Sequence, residues 1–233
     1  MCLDPPSLLL VDTPYDTRVL HCDLGRHRSG VGTLVDNCLV AYIIIGYFCA
    51  YALLAGFFII EHFVRQGEGT KDMGRGRFDA GSTTAVSIAM GVAFVIVPLG
   101  PLWNWLRIGP MLNLWAALIG VILGAAGLVI RYFAFSTLGR FFTRTLRQQD
   151  DHHLVTTGIY RHIRHPGYLS DIMIFVGAAL TMRNLVVLLV VIALYVPAYA
   201  YRIWAEEKML VQIFGQDYID YQKASKRLVP FVF

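Results

Sequence analysis

The fold is decided by the sequences LSDIMIFVGAALTM at residues 169–182 and LVVLLVVIALYVPAYAYRIW at residues 185–204. The second stretch has the length of about 20 predominantly apolar residues that a helix needs to cross a bilayer. The first stretch is shorter and contains Ser170 and Asp171. Because only the pair Arg183-Asn184 separates the two stretches, we predict that they form a tight helical hairpin.

Three further apolar segments precede the hairpin, at residues 36–60, 83–103 and 111–135. Each of them is near the length of a membrane span. Hydrophobic residues make up 56% of the chain and charged residues only 15%, whereas a soluble domain carries about 25% charged residues. The composition therefore excludes an ordinary soluble protein. We predict an all-α, polytopic membrane bundle of about five transmembrane helices.

The positive charges indicate how these spans are oriented. With five spans, the N-terminal tail, the second loop and the hairpin tip share one side and carry 5 of the 20 lysines and arginines. The other 15 belong to the opposite side, which includes the C-terminal tail. Positively charged loops stay in the cytosol. We therefore predict a cytosolic C-terminus, in either a bacterial inner membrane or an endoplasmic reticulum membrane.

The prediction divides the chain into three regions. Residues 1–35 form a polar tail without the apolar core of a signal peptide, residues 36–135 hold three transmembrane helices, and residues 136–233 hold the hairpin and a C-terminal tail. Four histidines of the third region fall within fourteen residues, at positions 152, 153, 162 and 165. Pro166 opposes a regular helix through the last two, so the sequence predicts no metal site.

Charged residues gather where the last predicted span ends. Arg202 and Glu206 are four residues apart, which places them on one face of a helix, and Glu207 follows directly. Charges at a membrane boundary often serve only as anchors. Spacing alone therefore leaves two interpretations open, an interfacial ion pair and a functional site.

Several ordered motifs resemble the isoprenylcysteine carboxyl methyltransferase family, which lies within a wider group of phospholipid methyltransferases. The motifs are Gly158-Ile159-Tyr160, Arg164-His165-Pro166-Gly167-Tyr168, Arg202 to Glu207, Phe214-Gly215 with Tyr218 and Tyr221, and Pro230-Phe231. The family pattern is an Arg-His-Pro-x-Tyr element, a hairpin and a Glu-Glu pair, and Glu206 follows His165 by 41 positions. The resemblance covers about residues 130 to 233. One departure is Ser170, where the family usually has glycine close against a neighbouring backbone.

The resemblance implies that S-adenosylmethionine is the methyl donor and binds in a pocket on the cytosolic face. The residues expected to hold it are His165, Pro166, Tyr168, Glu206, Glu207, Tyr218 and Tyr221. A carboxylate from the Glu-Glu pair is suited to the donor's ammonium through a charge-assisted hydrogen bond. His165 and Tyr168 offer ring faces and hydrogen bonds to its adenine or amino-acid portion, and the tail tyrosines close the pocket.

The sequence leaves three hypotheses open about the activity and the methyl acceptor. The first is O-methylation of a prenylcysteine-like or other apolar carboxylate, which is already ionised at neutral pH and needs orientation and removal of water. Arg202 is the candidate to orient this carboxylate, and Arg227 is a weaker candidate for the same task. Arg202 and Glu206 are the two predicted catalytic residues. The second is N-methylation of an amino lipid or S-methylation of a small thiol, and the third is a non-enzymatic membrane protein. The expected partners are the bilayer and a lipidated or apolar substrate, without nucleic acid.

Overall fold

The computed structural model describes residues 30–64, 81–138 and 154–228. Most of the predicted N-terminal tail, His152, His153 and the Pro230-Phe231 motif lie outside the described residues. The chain divides into two compact units, residues 1–41 and residues 42–233. The described part of the first unit is the beginning of one long helix, and all the packing discussed below lies within the second unit.

The described residues are almost entirely helical and contain no strand, which confirms the predicted all-α class. The elements are α1 (Gly30–Val64), α2 (Ser82–Ile96), α3 (Gly100–Trp105), α4 (Leu114–Leu138), a 3₁₀ helix (Gly158–Arg161), α5 (Pro166–Thr181), α6 (Leu185–Phe214) and α7 (Gln216–Ala224). Three segments are long and apolar enough to cross a membrane: Val40–Phe63, Leu114–Leu138 and Leu185–Phe214. The helices α2 and α5 are apolar but shorter. The protein is an integral membrane protein, although the described helices do not amount to five full-length spans.

The predicted span at residues 83–103 is not one helix. It divides into α2, a turn at residues 97–99, and the short helix α3. Pro98 explains the break, because proline lacks the N–H that an α-helix needs, and Pro101 lies in the first turn of α3, where proline is tolerated. The indole of Trp103 donates a hydrogen bond of 3.0 Å to the carbonyl of Ile96, which stabilises the turn.

The predicted hairpin is present, and its tip is fixed by hydrogen bonds. Asn184 caps α6, because its side-chain oxygen accepts a hydrogen bond from the amide of Val187 at 3.0 Å. Its side-chain nitrogen donates to Asn104 and to the carbonyl of Ile108, both at 2.9 Å. Arg183 precedes it with φ of 60°. Nε of Arg183 donates to the carbonyl of Leu112 at 2.9 Å. The two residues that separate the apolar stretches therefore attach the hairpin to α3 and to the segment that connects α3 and α4.

Small residues let α4 and α5 approach each other closely. A Cβ atom added at Gly177 of α5 would lie 2.6 Å from the backbone oxygen of Gly120 and 2.6 Å from the backbone nitrogen of Gly124, both on α4. Such contacts are typical of packed membrane helices. Ser170 fits the same interface, because Gly127 lies opposite it, where an added Cβ would be 3.0 Å from the Ser170 carbonyl oxygen. The glycine on α4 thus provides the close approach.

We expect Gly177→Ala to destabilise this helix pair by about 1–3 kcal/mol, the usual cost of overpacking. The new methyl group would meet backbone atoms of α4, which cannot rotate away as a side chain can. Gly91→Ala is the matched control, because nothing lies within 4 Å of a Cβ built there on α2. Thermal melting in detergent should show a lower midpoint for the first variant only. Equal midpoints would contradict the packing explanation.

Candidate functional site

The beginning of α5 and the last third of α6 meet the C-terminal segment in a polar cluster. Pro166 starts α5, and His165 precedes it with non-helical backbone. The segment around Lys226 runs beside this start. Arg164 donates its amide hydrogen to the carbonyl of Lys226 at 2.7 Å, and His165 donates to the carbonyl of Arg227 at 3.1 Å. The Arg-His-Pro-x-Tyr element is therefore held by the C-terminal tail, as well as by its own helix.

Glu207 is the buried member of the Glu-Glu pair and is enclosed by positive groups. Its carboxylate accepts hydrogen bonds from Nε of Arg164 at 3.0 Å and from Nε of Arg227 at 2.9 Å. Nε2 of His165 lies 3.5 Å from the same carboxylate. Arg164 lies just before α5, and Arg227 lies in the segment after α7. Glu207 consequently joins these segments to α6, and its charge is already compensated within the protein.

Glu206 is the more accessible member of the pair, with 24% of its side chain exposed. It accepts a hydrogen bond of 2.6 Å from the hydroxyl of Tyr168. Nδ1 of His165 is 3.7 Å away, and the His165 ring stacks on the Tyr168 ring with centroids 5.6 Å apart. Glu206 thus presents a carboxylate, oriented by Tyr168, at the edge of the cluster.

Arg202 is buried one helical turn before Glu206, and Tyr168 connects the two. Nε of Arg202 donates to the Tyr168 hydroxyl at 3.1 Å, and the same hydroxyl donates to Glu206. The guanidinium also donates to the hydroxyl of Thr83 at 2.7 Å and to that of Ser82 at 3.1 Å. The predicted proximity of Arg202 and Glu206 is thereby realised through a tyrosine. The two hydroxyl residues of α2 are additions that the sequence did not suggest.

The two predicted tail tyrosines occupy different positions. Tyr221 donates to the carbonyl of Tyr160 at 2.5 Å, and burial raises its pKa to about 12. Tyr218 is buried, and burial together with the nearby carboxylates of Glu207 and Glu206 raises its pKa well above the usual range. Both phenols are therefore protonated at neutral pH. Tyr221 attaches α7 to the 3₁₀ helix, whereas Tyr218 lies beside the Glu-Glu pair.

Two buried polar atoms of this cluster make no hydrogen bond within the described residues: Nε2 of His165 and the hydroxyl oxygen of Tyr218. A buried polar group without a partner costs free energy, and most such groups in proteins find one. Both atoms belong to residues near the carboxylates of Glu206 and Glu207. The arrangement therefore suits a ligand that brings a cationic group and further hydrogen-bonding groups to this end of the bundle.

A second polar cluster, which the sequence did not predict, lies deeper between the helices. Arg131 of α4 is buried and donates to Asp171 of α5 and, at 2.6 Å, to Glu61 of α1. Its guanidinium carbon lies 4.1 Å from the ring centre of Phe57. Asp171 also accepts a hydrogen bond of 2.8 Å from Tyr199 of α6. The sequence did contain a signal for this cluster, since Arg131 and Asp171 are single charges inside apolar segments. Such charges are rare and usually functional.

Comparison with known proteins identifies the same region of the chain. The phospholipid methyltransferase family model matches residues 115–217. Protein-S-isoprenylcysteine O-methyltransferase A of Arabidopsis thaliana is 36% identical over 120 residues, which are 51% of this chain and 61% of that protein. The protein-S-isoprenylcysteine O-methyltransferase of Saccharomyces cerevisiae is 32% identical over 116 residues, 49% of this chain and 48% of that protein.

A solved structure extends the similarity beyond the matched region. It is that of a eukaryotic intramembrane Ras methyltransferase, isoprenylcysteine carboxyl methyltransferase. The likeness has a TM-score of 0.57 and 25% sequence identity, and covers 82% of this chain and 67% of that chain. The matches to the curated relatives span less than two thirds of those proteins. The resemblance that the motifs indicated is confirmed, and so is the helical membrane fold.

Proposed function

We propose, from the match of residues 115–217 to the phospholipid methyltransferase family model, that this integral membrane protein transfers a methyl group from S-adenosylmethionine to the carboxylate of a prenylcysteine-like or other apolar molecule. The observation that carries the proposal is the cluster in which Tyr168 joins Arg202 to Glu206. It brings an anion-binding group and a cation-binding group together, as a reaction between a cationic donor and an anionic acceptor requires.

The residues around Glu206 fit the donor. S-adenosylmethionine supplies an electrophilic methyl group on a sulfonium, and it carries an ammonium, a carboxylate and an adenine. Glu206 would accept the ammonium through a charge-assisted hydrogen bond. The hydroxyl of Tyr218 makes no hydrogen bond within the described residues and offers one at the same place. Nε2 of His165 also makes no hydrogen bond there, although it lies 3.5 Å from the Glu207 carboxylate. Pro166 starts α5 immediately after His165 and so fixes the direction of that helix.

Glu206, in preference to Glu207, is the residue that we assign to the ammonium. Glu207 is bonded to Arg164 and Arg227, and an incoming ammonium would have to compete with both guanidinium groups. Glu206 has a neutral partner in Tyr168 and a partly exposed side chain. We assign to Glu207 the task of holding Arg164, and with it the start of α5, against α6.

Arg202 is the residue that we assign to the acceptor carboxylate. Such an acceptor is ionised at neutral pH, so the reaction needs no general base and depends on orientation and exclusion of water. Arg202 is buried and immobilised by Tyr168, Ser82 and Thr83. Its planar group is suited to a carboxylate. An acceptor with a lipid chain would reach this position from the bilayer, between helices.

The experiment that tests the proposal uses purified protein, isotope-labelled donor and an N-acetylated S-prenylcysteine. We expect a labelled methyl ester, which releases labelled methanol in alkali. The matched control is the same probe with its carboxylate converted to an amide, which should accept no label. Labelling of the amide probe, or failure of the protein to bind the donor, would contradict the proposal.

An amino lipid is a second candidate acceptor, because the matching family is described by phospholipid methylation. The pH dependence of the reaction distinguishes an amine acceptor from a carboxylate acceptor. An amine must lose a proton before it attacks, so its methylation should accelerate between about pH 6 and 9, whereas a carboxylate is ionised throughout that range. A lipid extract incubated with labelled donor, giving a product whose label is not released as methanol in alkali, would support the amine.

We also propose that the end of the bundle bearing Glu206 faces the cytosol. The expectation comes from the five-span assignment, which counts 15 of the 20 lysines and arginines with the side of the C-terminal tail and 5 with the other side. A reporter that fluoresces only in the cytosol should be active when fused to the C-terminus. A reporter active only outside the cytosol at the same fusion point would overturn the orientation.

A further inference from the structure

Tyr199 connects the deep ion cluster to the candidate site. Its hydroxyl donates to Asp171 at 2.8 Å, and Asp171 is paired with Arg131. Its ring lies against the Tyr168 ring, with centroids 5.4 Å apart. Buried charges among membrane helices are costly and usually functional. None of the roles proposed for methyl transfer falls to this ion cluster. The cluster is connected to the candidate site by the contact between the Tyr199 and Tyr168 rings.

The Tyr168 ring is held on two sides. His165 stacks on it at 5.6 Å and Tyr199 packs against it at 5.4 Å. Its hydroxyl must stay in place to accept from Arg202 and to donate to Glu206 at the same time. A shift of the Tyr199 ring would therefore move the one hydroxyl that joins the proposed donor and acceptor groups.

We propose that Asp171 and Tyr199 are positioning residues for methyl transfer. Asp171 fixes the Tyr199 hydroxyl, the Tyr199 ring fixes the Tyr168 ring, and the Tyr168 hydroxyl is thereby aligned between Arg202 and Glu206. Arg131 holds the Asp171 carboxylate from the other side. The inference rests on the proposed function, because it assigns these residues a task in that reaction.

Tyr195 supplies a matched control on the same helix. It is buried one turn before Tyr199, with ring centroids 5.5 Å apart. Its hydroxyl makes no hydrogen bond within the described residues, whereas that of Tyr199 is bonded to Asp171. Tyr195→Phe and Tyr199→Phe therefore remove the same atom from neighbouring buried rings, and only the second breaks the connection.

The test is a double-mutant cycle between Tyr199→Phe and Tyr168→Phe. We expect Tyr199→Phe to lower kcat about tenfold, and the double variant to be no slower than Tyr168→Phe alone, because without its hydroxyl Tyr168 has nothing left to align. Asp171→Asn should lower kcat less than Asp171→Leu does, because the asparagine oxygen can still accept from Tyr199 although its amide nitrogen cannot accept from Arg131. Donor affinity from calorimetry should show the same non-additivity, and thermal melting should show that all variants fold.

Three results would overturn the inference. Losses that add in the double variant would show that Tyr199 acts independently of Tyr168. Equal effects of Tyr195→Phe and Tyr199→Phe would show that the hydrogen bond from Tyr199 to Asp171 has no specific role. Normal kcat and donor affinity in Tyr199→Phe would remove the positioning role while leaving the proposed function intact. An unaltered protein that neither binds the donor nor methylates the prenylcysteine probe would instead refute the proposed function, and this inference with it.

Discussion

Replacing Glu206 by glutamine is expected to weaken binding of S-adenosylmethionine about tenfold to hundredfold. A hydrogen bond to a charged group contributes about 1.5–3 kcal/mol, and a factor of ten in affinity corresponds to about 1.4 kcal/mol. The glutamine oxygen can still accept from the Tyr168 hydroxyl, so the surroundings of the site should survive. Calorimetry on the detergent-solubilised protein measures the donor affinity, and thermal melting without donor should give an unchanged midpoint.

Glu207→Gln is the matched control, since it makes the same chemical change at the adjacent residue. Loss of its charge leaves both Arg164, which is buried, and Arg227, which is partly exposed, without the carboxylate that they contact. Uncompensated buried charge is destabilising. We therefore expect a lower melting midpoint in this variant before donor is added. Unchanged donor affinity in Glu206→Gln would remove its assignment to the ammonium, and a selective loss in Glu207→Gln would transfer that assignment.

The helices could be predicted where the residues that determine them are close together in the sequence. The hairpin followed from two apolar stretches separated by Arg183 and Asn184, and the structure places a helix cap at that point. The break in the second predicted span was also readable, because Pro98 stands inside it. The hydrogen bonds from Asn184 to Asn104 and Ile108 could not be predicted, because they join segments that are far apart in the sequence.

The candidate site was predictable where a motif is contiguous. The Arg-His-Pro-x-Tyr element and the Glu-Glu pair indicated His165, Tyr168 and Glu206, and the structure brings these together. The different environments of Glu206 and Glu207 depend on Arg227, which reaches them only after the tail folds back. Thr83 meets Arg202 across 119 positions. No spacing rule predicts a contact of that kind, because it depends on how α2 packs beside α6.

Replacing Arg202 by lysine is expected to lower turnover by a factor of about 10² to 10³, the usual loss when a charge-stabilising donor is removed from an active site, while the affinity for the methyl donor changes little. Lysine is a point charge and cannot reproduce the flat group of nitrogen donors that an arginine presents to a carboxylate. It also cannot bond to Tyr168, Ser82 and Thr83 in the arrangement that Arg202 has. The lost contact belongs to the acceptor, so donor calorimetry should register it weakly.

Arg227→Lys separates the role of Arg202 from a general need for arginine near the Glu-Glu pair. Arg227 is bonded to Glu207 through Nε, and its side chain is 43% exposed, so a lysine can keep the ion pair and turnover should stay near normal.

Long cationic side chains at span ends commonly serve as interfacial anchors, and normal turnover in Arg202→Lys would mean that Arg202 is only such an anchor. Parallel losses of turnover and donor affinity would mean that Arg202 acts through Tyr168 on Glu206. A selective loss of turnover, in a variant with an unchanged melting midpoint, supports a role of Arg202 in orienting an anionic group of the acceptor. An amino phospholipid also carries an anion, its phosphate, so the release of labelled methanol in alkali is what separates a carboxylate acceptor from an amine.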